Sequence, residues 1–579
     1  MEKQENMRRL PLGVSDFRQL RESDYYFVDK TQYIKRMEEY GDFLFFTRPR
    51  RFGKSLFISM MMEYYDLLAQ NRFEREFKGT WIYSHPTPER GKYQILFFNY
   101  SLVGGDFSNV EENFNKYCGN RINRFIQDYA NFYDKTIIEA VMTETSASQK
   151  LNIVADAAKS AGHKLYIIVD EYDNFTNSIL ASRGTGEYRN ITHGTGFFRD
   201  FMKIFKANAT RSLLVGVSPI TLDDLSSGAN NYTNITTDPT FNMALGFSQN
   251  DVEEMIRYYQ SRGVIKRSVE DIIEEIKPWY DNYCFSPDRF GVDSMMFNSD
   301  MVLYYLNALI RTGKSPENML DSNTRTDYGK MKMLIGLDRW DGNRGAITQK
   351  IVDEGFIYSQ ISESFPAEDV VKPELFPSLL YYYGMLTIGG KIGDSMKLVI
   401  PNRNVMVQYY QYILEHQQET NHLDVGWLRE AILGAAIWGD WRTLMEYLTK
   451  HYKEDTSVRD TNAGEKGLQM YMNAYLHLSR LFIVRPEVEL HRGFSDLLLF
   501  GDHSKYSDVK HSYIIELKYL KTNASQAEAE RQWQEAVEQV LRYGADEQVL
   551  RLTANTTLHL IVLQMKGAEM LKMEEIEQA

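Results

Sequence analysis

The sequence predicts an α/β protein built in three parts. From about residue 10 to 225, continuous apolar runs alternate with helical stretches, which is typical of a parallel sheet covered on both faces. From about 245 to 375 the pattern is mostly helical and charged, and after about 425 helical sequence leads into a second α/β pattern. No repeat of fixed period is found. We therefore predict the boundaries 1–240, 241–425 and 426–579.

The first part contains four apolar runs that we predict as strands. The first of them precedes a helical stretch at 54–68. Before the third, apolar residues recur at helical spacing from Leu151 to Ala158, and Gly162 suits the cap that ends such a helix. A strand, a helix and a further strand form a crossover unit of a parallel sheet. The predicted strands are Phe43–Thr47, Gln94–Ser101, Leu165–Asp173 and Ser212–Pro219.

The middle part reads as a helical lid or connector. Helical patterns cover 250–263 and 269–280. Farther along, a short helix runs into two strands, Met385–Gly389 and Lys397–Ile400, around a turn that contains glycine. A helix followed by a hairpin is similar to a winged-helix element, although a packing module between two larger domains explains the same pattern.

Composition narrows the class of protein. The chain has 579 residues, 43% of them hydrophobic and 25% charged, which indicates a folded, soluble protein. Its net charge of -13 gives no global attraction to nucleic acid or anionic lipid, so such a contact would need a local basic patch. Two separated cysteines, Cys118 and Cys284, support neither a disulfide framework nor a zinc site. With no signal sequence and no membrane-spanning run, we expect a cytoplasmic protein.

The first candidate site follows the strand Phe43–Thr47. The sequence Gly53-Lys54-Ser55 opens a helix, where backbone N–H groups and the helix dipole favour phosphate oxygens. Lys54 is placed to reach the β- and γ-phosphates of a nucleotide, and Ser55 to bind magnesium. The glycine that usually begins such a loop is replaced by Arg48, so proline rigidity must shape the loop instead.

Two adjacent carboxylates end the third predicted strand. Asp170 is placed to hold magnesium, and Glu171 to polarise the attacking water. The alternative is a solvated strand end. Ser218 ends the fourth strand at the same predicted edge of the sheet, so it is a candidate sensor of the γ-phosphate, with ordinary turn chemistry as the alternative.

Several separated segments together resemble the bacterial predicted AAA-ATPase-like family of P-loop NTPases. They are 10–31, 43–56, 167–173 and 216–221. In that family the sequence RPRRFGKS is the usual phosphate loop, so the resemblance implies that Arg48 is a family variant and that ATP is the nucleotide. Asp29-Lys30-Thr31 is a further match without an assigned role. The resemblance implies nucleotide contacts from Arg48, Pro49, Arg50, Arg51, Phe52, Gly53, Lys54, Ser55, Leu56, Asp170 and Ser218.

The second candidate site lies near the C-terminus. Asp496 is predicted at the start of one strand, and Glu516 and Lys518 at the end of the next. Strand alternation puts Glu516 and Lys518 on one face, and a hairpin would bring Asp496 beside them. Two carboxylates suit Mg²⁺ or Mn²⁺, and a lysine suits a developing phosphorane charge. A charged hairpin edge is the alternative.

This spacing resembles the PD-(D/E)XK nuclease superfamily, with Ser495 in place of the proline. Gln539 and Tyr543 match a helical pattern that is typical there, and Glu465 matches a carboxylate that some members add, with a solvated helix start as its alternative. The combined expectation is an ATPase coupled to a metal-dependent nuclease acting on DNA or RNA, with no membrane partner. The alternative is a nucleotide-dependent switch or scaffold whose last domain binds nucleic acid or protein without cleavage. Oligomeric state stays open.

Overall fold

A computed structural model of the chain divides it into two compact units. The first comprises residues 1–347 and 355–405, and the second comprises 348–354 and 406–579. The structure describes residues 7–104, 109–193, 196–220, 232–291, 295–316, 318–320, 343–364, 366, 369, 372–409, 424–455, 464–476, 481–490, 493–501 and 506–577.

The first unit contains a five-stranded parallel sheet in the order β2-β3-β4-β1-β5. This confirms the predicted α/β class. All five strands point the same way, so their carboxyl ends share one edge, and β4 separates β1 from β3 along that edge. The strands are β1 Phe43–Thr47, β2 Tyr93–Asn99, β3 Lys164–Asp170, β4 Arg211–Gly216 and β5 Thr233–Asn234.

Three of the predicted strands end earlier than expected. β3 stops at Asp170 because Glu171 adopts a φ of 53°, which is left-handed and leaves the strand conformation. β4 stops at Gly216, where the side chains of Tyr172 and Asp173 approach so closely that a Cβ would meet them at 2.5 Å. The loops after β3 and β4 therefore begin sooner than the apolar runs predict, and the candidate residues Glu171 and Ser218 lie on these loops.

Helices flank this sheet, and aromatic side chains such as Phe98, Phe114 and Phe201 fill the core between them. The helix predicted before β3 spans Ala147–Ser160, and the helix after the phosphate loop begins at Lys54. The helices are α1 Phe17–Glu22, α2 Gln32–Tyr40, α3 Lys54–Tyr65, α4 Phe73–Phe77, α5 Trp81–Ser84, α6 Val110–Asp128, α7 Lys135–Thr143, α8 Ala147–Ser160, α9 Asn174–Thr192 and α10 Phe197–Asn208.

The middle region is helical, as predicted. Ser248 and Asp251 form a reciprocal cap at the start of the first of its helices, and Ile256, Ile276 and Leu306 belong to one shared core. Two short strands of this region, β6 Phe247–Ser248 and β7 Met296–Phe297, pair in an antiparallel arrangement. The helices are α11 Gln249–Ser261, α12 Val269–Tyr280, α13 Ser299–Thr312 and α14 Asn343–Glu354.

The predicted helix and hairpin are present as α15 Phe376–Tyr382, β9 Thr387–Ile392 and β10 Ser395–Val399. Both strands are shifted toward the turn, because the chain reverses at Gly393, whose φ is 62°. A third strand, β8 Phe356–Ser359, pairs with β10 and completes an antiparallel sheet in the order β8-β10-β9.

The second unit is built on a mixed sheet in the order β11-β12-β13-β14-β15, in which only the β13–β14 pair is parallel. Its strands are β11 Phe482–Leu490, β12 Gly493–Gly501, β13 His511–Leu520, β14 Thr557–Lys566 and β15 Glu569–Glu575. Its helices are α16 Val425–Trp438, α17 Trp441–Asp455, α18 Gly464–Leu476, α19 Gln526–Gly544 and α20 Glu547–Leu552.

The apolar face predicted for α19 packs on this sheet. Trp533 and Val540 are buried in its core, and Val537 and Leu541 pack against them. Across the described ranges of both units, no helix has the length and apolar character needed to cross a membrane.

Candidate nucleotide site and candidate metal site

The loop between β1 and α3 closes around the Lys54 side chain. Its Nζ atom donates to the carbonyl oxygens of Arg48 and Pro49, both at 3.0 Å, and Lys54 is only 6% exposed. Gly53 precedes α3 with a φ of 89°, and Arg51 has a φ of 69°. The first N–H groups of α3 have no partners within the helix, so they are available to phosphate oxygens.

Ser55 and Asp170 meet across the carboxyl edge of the sheet, although 115 positions separate them. The Ser55 hydroxyl donates to Asp170 Oδ2 at 2.7 Å. Burial raises the pKa of Asp170, and the hydrogen bond from Ser55 opposes that rise. The Glu171 backbone N–H donates to the other oxygen of Asp170 at 2.9 Å. A hydroxyl and a carboxylate at hydrogen-bond distance are the ligands that magnesium takes beside a nucleotide.

A cavity of about 710 Å³ opens beside the loop. This volume falls within the range of small-molecule sites. Burial lowers the pKa of Lys54, while the charges of Glu171 and Asp170 oppose the shift. The polar lining includes Arg50, Arg51, Gly53, Lys54, Ser55, Asn99, Glu171 and Asn174; the apolar lining includes Val14, Val28, Leu56, Phe247, Met255 and Leu303. A lining that offers both cationic and apolar side chains suits the phosphates and the base of a nucleotide.

Ser218 lies at the predicted edge but its hydroxyl does not line the cavity. It donates to Asp173 Oδ2 at 2.9 Å, and the Ser218 and Val217 backbone N–H groups also donate to the Asp173 carboxylate. Ser218 is fully buried. The structure thus gives this serine the turn chemistry that was the alternative to phosphate sensing.

Arg48 also lies outside the cavity lining, as does Pro49. The Arg48 guanidinium donates to the carbonyls of Thr47, Thr236 and Phe241 at 2.7 to 2.9 Å. It also packs against the rings of Phe46 and Phe285. Burial lowers its pKa to about 10, which leaves it charged at neutral pH. The arginine that replaces the usual glycine therefore holds the base of the loop rather than a ligand.

We expect the Arg48→Ala substitution to lower the free energy of unfolding of the first unit by on the order of 3 kcal/mol, because three buried carbonyls lose their donor. Urea unfolding followed by hydrogen exchange of the β1 and β4 amides measures this loss. Arg124→Ala is the control, because Arg124 has a side chain that is 69% exposed. Equal urea midpoints for the two variants would contradict the assigned role.

The other loop residues are held by the middle region. Phe52 packs edge-on against Tyr283 and Phe285, with ring centroids 4.9 and 5.2 Å apart. The Arg51 carbonyl accepts hydrogen bonds from the Ser299 hydroxyl at 2.9 Å and from the Asp300 N–H at 3.3 Å. Phe52 thus packs against the middle region and also lines the cavity, as Arg51 and Leu56 do.

Sequence reasoning missed Asn99 and Asn174, which line the cavity. Asn99 ends β2, so the rule that ligands gather at carboxyl ends of parallel strands would have found it. The structure also explains Asp29 and Thr31: the Asp29 carboxylate accepts from the Thr31 N–H and hydroxyl and from the Trp81 N–H, so this motif fastens the start of α5.

In the second unit, Lys518 lies among three carboxylates. Its Nζ atom is 2.8 Å from Glu516 Oε1, 4.0 Å from Asp496 Oδ2 and 3.9 Å from Glu465 Oε1. The Leu517 N–H donates to Asp496 Oδ2 at 2.8 Å. Asp496 is the fourth residue of β12 rather than its first, and β12 is antiparallel to β13, so the hairpin brings the three predicted residues together.

The ionisable side chains of Asp496, Glu516 and Lys518 are largely removed from water. Burial and then the charge of Glu516 raise the pKa of Asp496 to about 7, and burial also raises the pKa of Glu516. The carboxylates, Glu516 first, raise the pKa of Lys518 against the opposing effect of its burial. Glu516 is 2% exposed, and its buried Oε2 atom has no hydrogen-bond partner among the residues that the structure describes. A buried acceptor with no donor suits a cation.

Within the described ranges, no three His, Cys, Asp or Glu side chains are grouped as a ready metal cage. Magnesium does not need one, because it keeps several waters and is held by one or two carboxylates together with substrate phosphate. Asp496 and Glu516 supply that pair. Glu465, on α18, faces Lys518 with a side chain that is 42% exposed. Gln469, one turn later, donates to the Asp496 carbonyl at 2.9 Å.

The remaining superfamily matches are largely buried. Ser495 is fully buried next to Asp496. On α19, Tyr543 is buried in the core, and the Gln539 Oε1 atom is buried without a hydrogen-bond partner.

Without divalent metal, we expect the stability of the second unit to fall as pH rises from about 4 to about 7. An unfolded aspartate titrates near ~3.9, so the folded state binds more protons than the unfolded state between that value and the folded pKa of about 7. The loss of stability across this pH range is on the order of a few kcal/mol, and Asp496→Asn should remove most of it. Urea unfolding in EDTA across this pH range measures it, with Asp508→Asn as the control; identical slopes for both variants would contradict the assignment.

Comparison with known proteins identifies two matched segments. Residues 11–226 match the family model of predicted AAA-ATPases, and residues 463–575 match that of the PD-(D/E)XK nuclease superfamily. Both resemblances seen in the sequence are thus confirmed. One relative is an uncharacterized protein in the vnfD 5' region of Azotobacter chroococcum mcd 1, 27% identical over 282 residues, which are 48% of this chain and 48% of that protein. The chain therefore spans about half the length of this relative.

Proposed function

We propose that this chain, which joins a predicted AAA-ATPase segment to a PD-(D/E)XK nuclease superfamily segment, hydrolyses ATP in its first unit and phosphodiester bonds of DNA or RNA in its second. One observation supports the proposal most strongly. In each unit, polar side chains from separate parts of the sequence lie together, Ser55 with Asp170 in the first and Lys518 with Asp496 and Glu516 in the second, as sites for phosphate chemistry require. We assign the ATPase to residues 1–240, a helical connector to 241–425 and the nuclease-like domain to 426–579.

In the first unit, Lys54 exchanges its two carbonyl contacts for the β- and γ-phosphates. Ser55 and Asp170 hold magnesium, which neutralises phosphate charge when bound. Glu171 lines the cavity. Two positions later, the Asp173 carboxylate accepts a hydrogen bond from the Val217 N–H, which connects the turn at Glu171 to the end of β4. Glu171 orients the attacking water and accepts its proton. The apolar side chains that line the cavity contact the adenine.

In the second unit, Asp496 and Glu516 hold Mg²⁺ or Mn²⁺, which activates water and stabilises phosphate charge when bound. The Glu516 Oε2 atom, which is buried and unpartnered, is the natural metal-facing oxygen. Lys518 lowers the pKa of both carboxylates against the effect of their burial, and it places a positive charge beside the scissile phosphate.

The test uses the purified full chain with single- and double-stranded DNA and RNA, in Mg²⁺, Mn²⁺ or EDTA, with and without ATP. We expect metal-dependent cleavage that Glu516→Gln abolishes, and ATP hydrolysis that Glu516→Gln leaves intact. Glu538→Gln is the matched control, because Glu538 lies on the exposed face of α19. Nucleic-acid binding without cleavage in either metal would favour the alternative of a nucleotide-dependent binding protein. No ATP hydrolysis would overturn the assignment of the first unit.

A further inference from the structure

The three arginines of the phosphate loop have different surroundings. Arg48 is buried against three carbonyls. Arg51 is paired with Asp300 at 3.8 Å. Arg50 lines the cavity, its Nε atom is buried without a hydrogen-bond partner, and no ion pair holds it within the part of the chain that the structure describes. Arg48 and Arg51 also have one such nitrogen each, but Arg50 combines it with a place in the cavity lining and no ion pair among the described residues, so a bound ligand can supply its partner.

Arg50 is also close to the reacting end of the cavity. It shares the lining with Lys54, Ser55 and Glu171. Burial is the main cause that lowers the pKa of Lys54, and the charge of Arg50 adds to it, which agrees with the two cations sharing one cavity lining. A cation that shares the cavity lining with Lys54, Ser55 and Glu171 suits the terminal phosphates of a nucleotide better than its base.

The loop holds Arg50 firmly from both sides. Pro49 fixes its own φ and is packed so closely on Gly384 that a Cβ there would lie 2.8 Å from the Pro49 Cβ. On the other side, the Arg51 carbonyl is bound by Ser299 and Asp300. The backbone at Arg50 is therefore positioned before a ligand arrives, which is the condition for electrostatic stabilisation of a transition state.

We propose that Arg50 is a catalytic residue that stabilises, within the same chain, the charge developing on the transferring γ-phosphoryl group of ATP. This inference rests on the proposed ATPase function. Water forms the new P–O bond while the bond between the γ-phosphorus and the bridging oxygen breaks, and the electron pair of that bond passes to the β-phosphate of ADP. The proton of the water passes to Glu171, and the products are ADP and inorganic phosphate. The planar guanidinium donates to two equatorial oxygens at once, which the ammonium of Lys54 does less well.

The test compares Arg50→Ala and Arg50→Lys with the wild type in the full chain. We expect single-turnover ATP hydrolysis to fall by on the order of 10³-fold in Arg50→Ala, while the Kd for ATP changes by no more than a few-fold. Affinity for ADP with aluminium fluoride, which imitates the transferring phosphoryl group, should fall with the rate. Guanidinium ions below denaturing concentration should partly restore the rate of Arg50→Ala. Arg124→Ala is the control on an exposed helix.

The inference is overturned if Arg50→Ala hydrolyses ATP at the wild-type rate. It is equally overturned if the loss lies in the Kd for ATP, with ATP and the aluminium fluoride complex weakened alike. Failure of the wild type itself to bind or hydrolyse ATP would instead overturn the proposed function. Thermal unfolding shows whether the Arg50→Ala protein is misfolded. If it is, the Arg50→Lys protein, which keeps the charge but loses the planar guanidinium, is compared with the wild type by its hydrolysis rate and its Kd for ATP.

Discussion

The Lys518→Ala protein is expected to cleave nucleic acid about 10²–10³-fold more slowly than the wild type at saturating metal. Lys518 is 13% exposed and is the cation that faces both Asp496 and Glu516. Its removal takes away the charge that stabilises the phosphorane and the cation that lowers the pKa of the two carboxylates. Gel-based cleavage rates in Mg²⁺ and Mn²⁺ measure the loss.

The matched control is Lys521→Ala, which removes an exposed lysine just beyond the end of β13. It should cleave at the wild-type rate. Lys518→Arg should recover part of the rate, because it keeps the charge but not the shape. Equal rates for Lys518→Ala and Lys521→Ala would remove Lys518 from the chemistry, and the cluster would then be the charged hairpin edge that the sequence also allowed.

The Glu171→Gln protein is expected to bind ATP with nearly unchanged affinity and to hydrolyse it about 10²–10⁴-fold more slowly. The amide keeps the size of the side chain, so the left-handed turn after β3 and the cavity lining are retained. What is lost is the capacity to accept a proton from water. Phosphate release and ATP binding are measured on the same preparation.

Glu139→Gln, on the exposed side of α7, serves as the control for this change and should hydrolyse ATP normally. A Glu171→Gln protein with full activity would show that another group takes the proton. A protein that no longer binds ATP would show instead that Glu171 supports the cavity.

Much of this fold is predictable from local sequence patterns. Continuous apolar runs identify the strands of the parallel sheet, and β1 is confirmed at Phe43–Thr47 with its exact bounds. Chain order places Asp170 at the same edge as Ser55, and strand alternation places Glu516 and Lys518 on one face. These inferences need only the period of the strand and the direction of the sheet.

What sequence patterns do not give is the choice between ligand-facing and buried orientations. Arg48 finds its acceptors at Thr236 and Phe241, which are 188 and 193 positions away, and Ser218 finds Asp173, which is 45 positions away. Nothing local distinguishes Arg48 from Arg50, because the difference lies in the partners that packing brings. The third strand of the small sheet, β8, was missed for the same reason: its pairing partner β10 lies about 40 residues later.

The most direct test of the central claim, that each unit holds a metal-assisted site for phosphate chemistry, is the anomalous scattering of manganese in crystals grown with a non-hydrolysable ATP analogue and Mn²⁺. The account predicts one manganese peak at Ser55 and Asp170 and another at Asp496 and Glu516, with the triphosphate of the analogue against Lys54. The claim would be contradicted by a map that shows no manganese at either pair of residues and no triphosphate against Lys54.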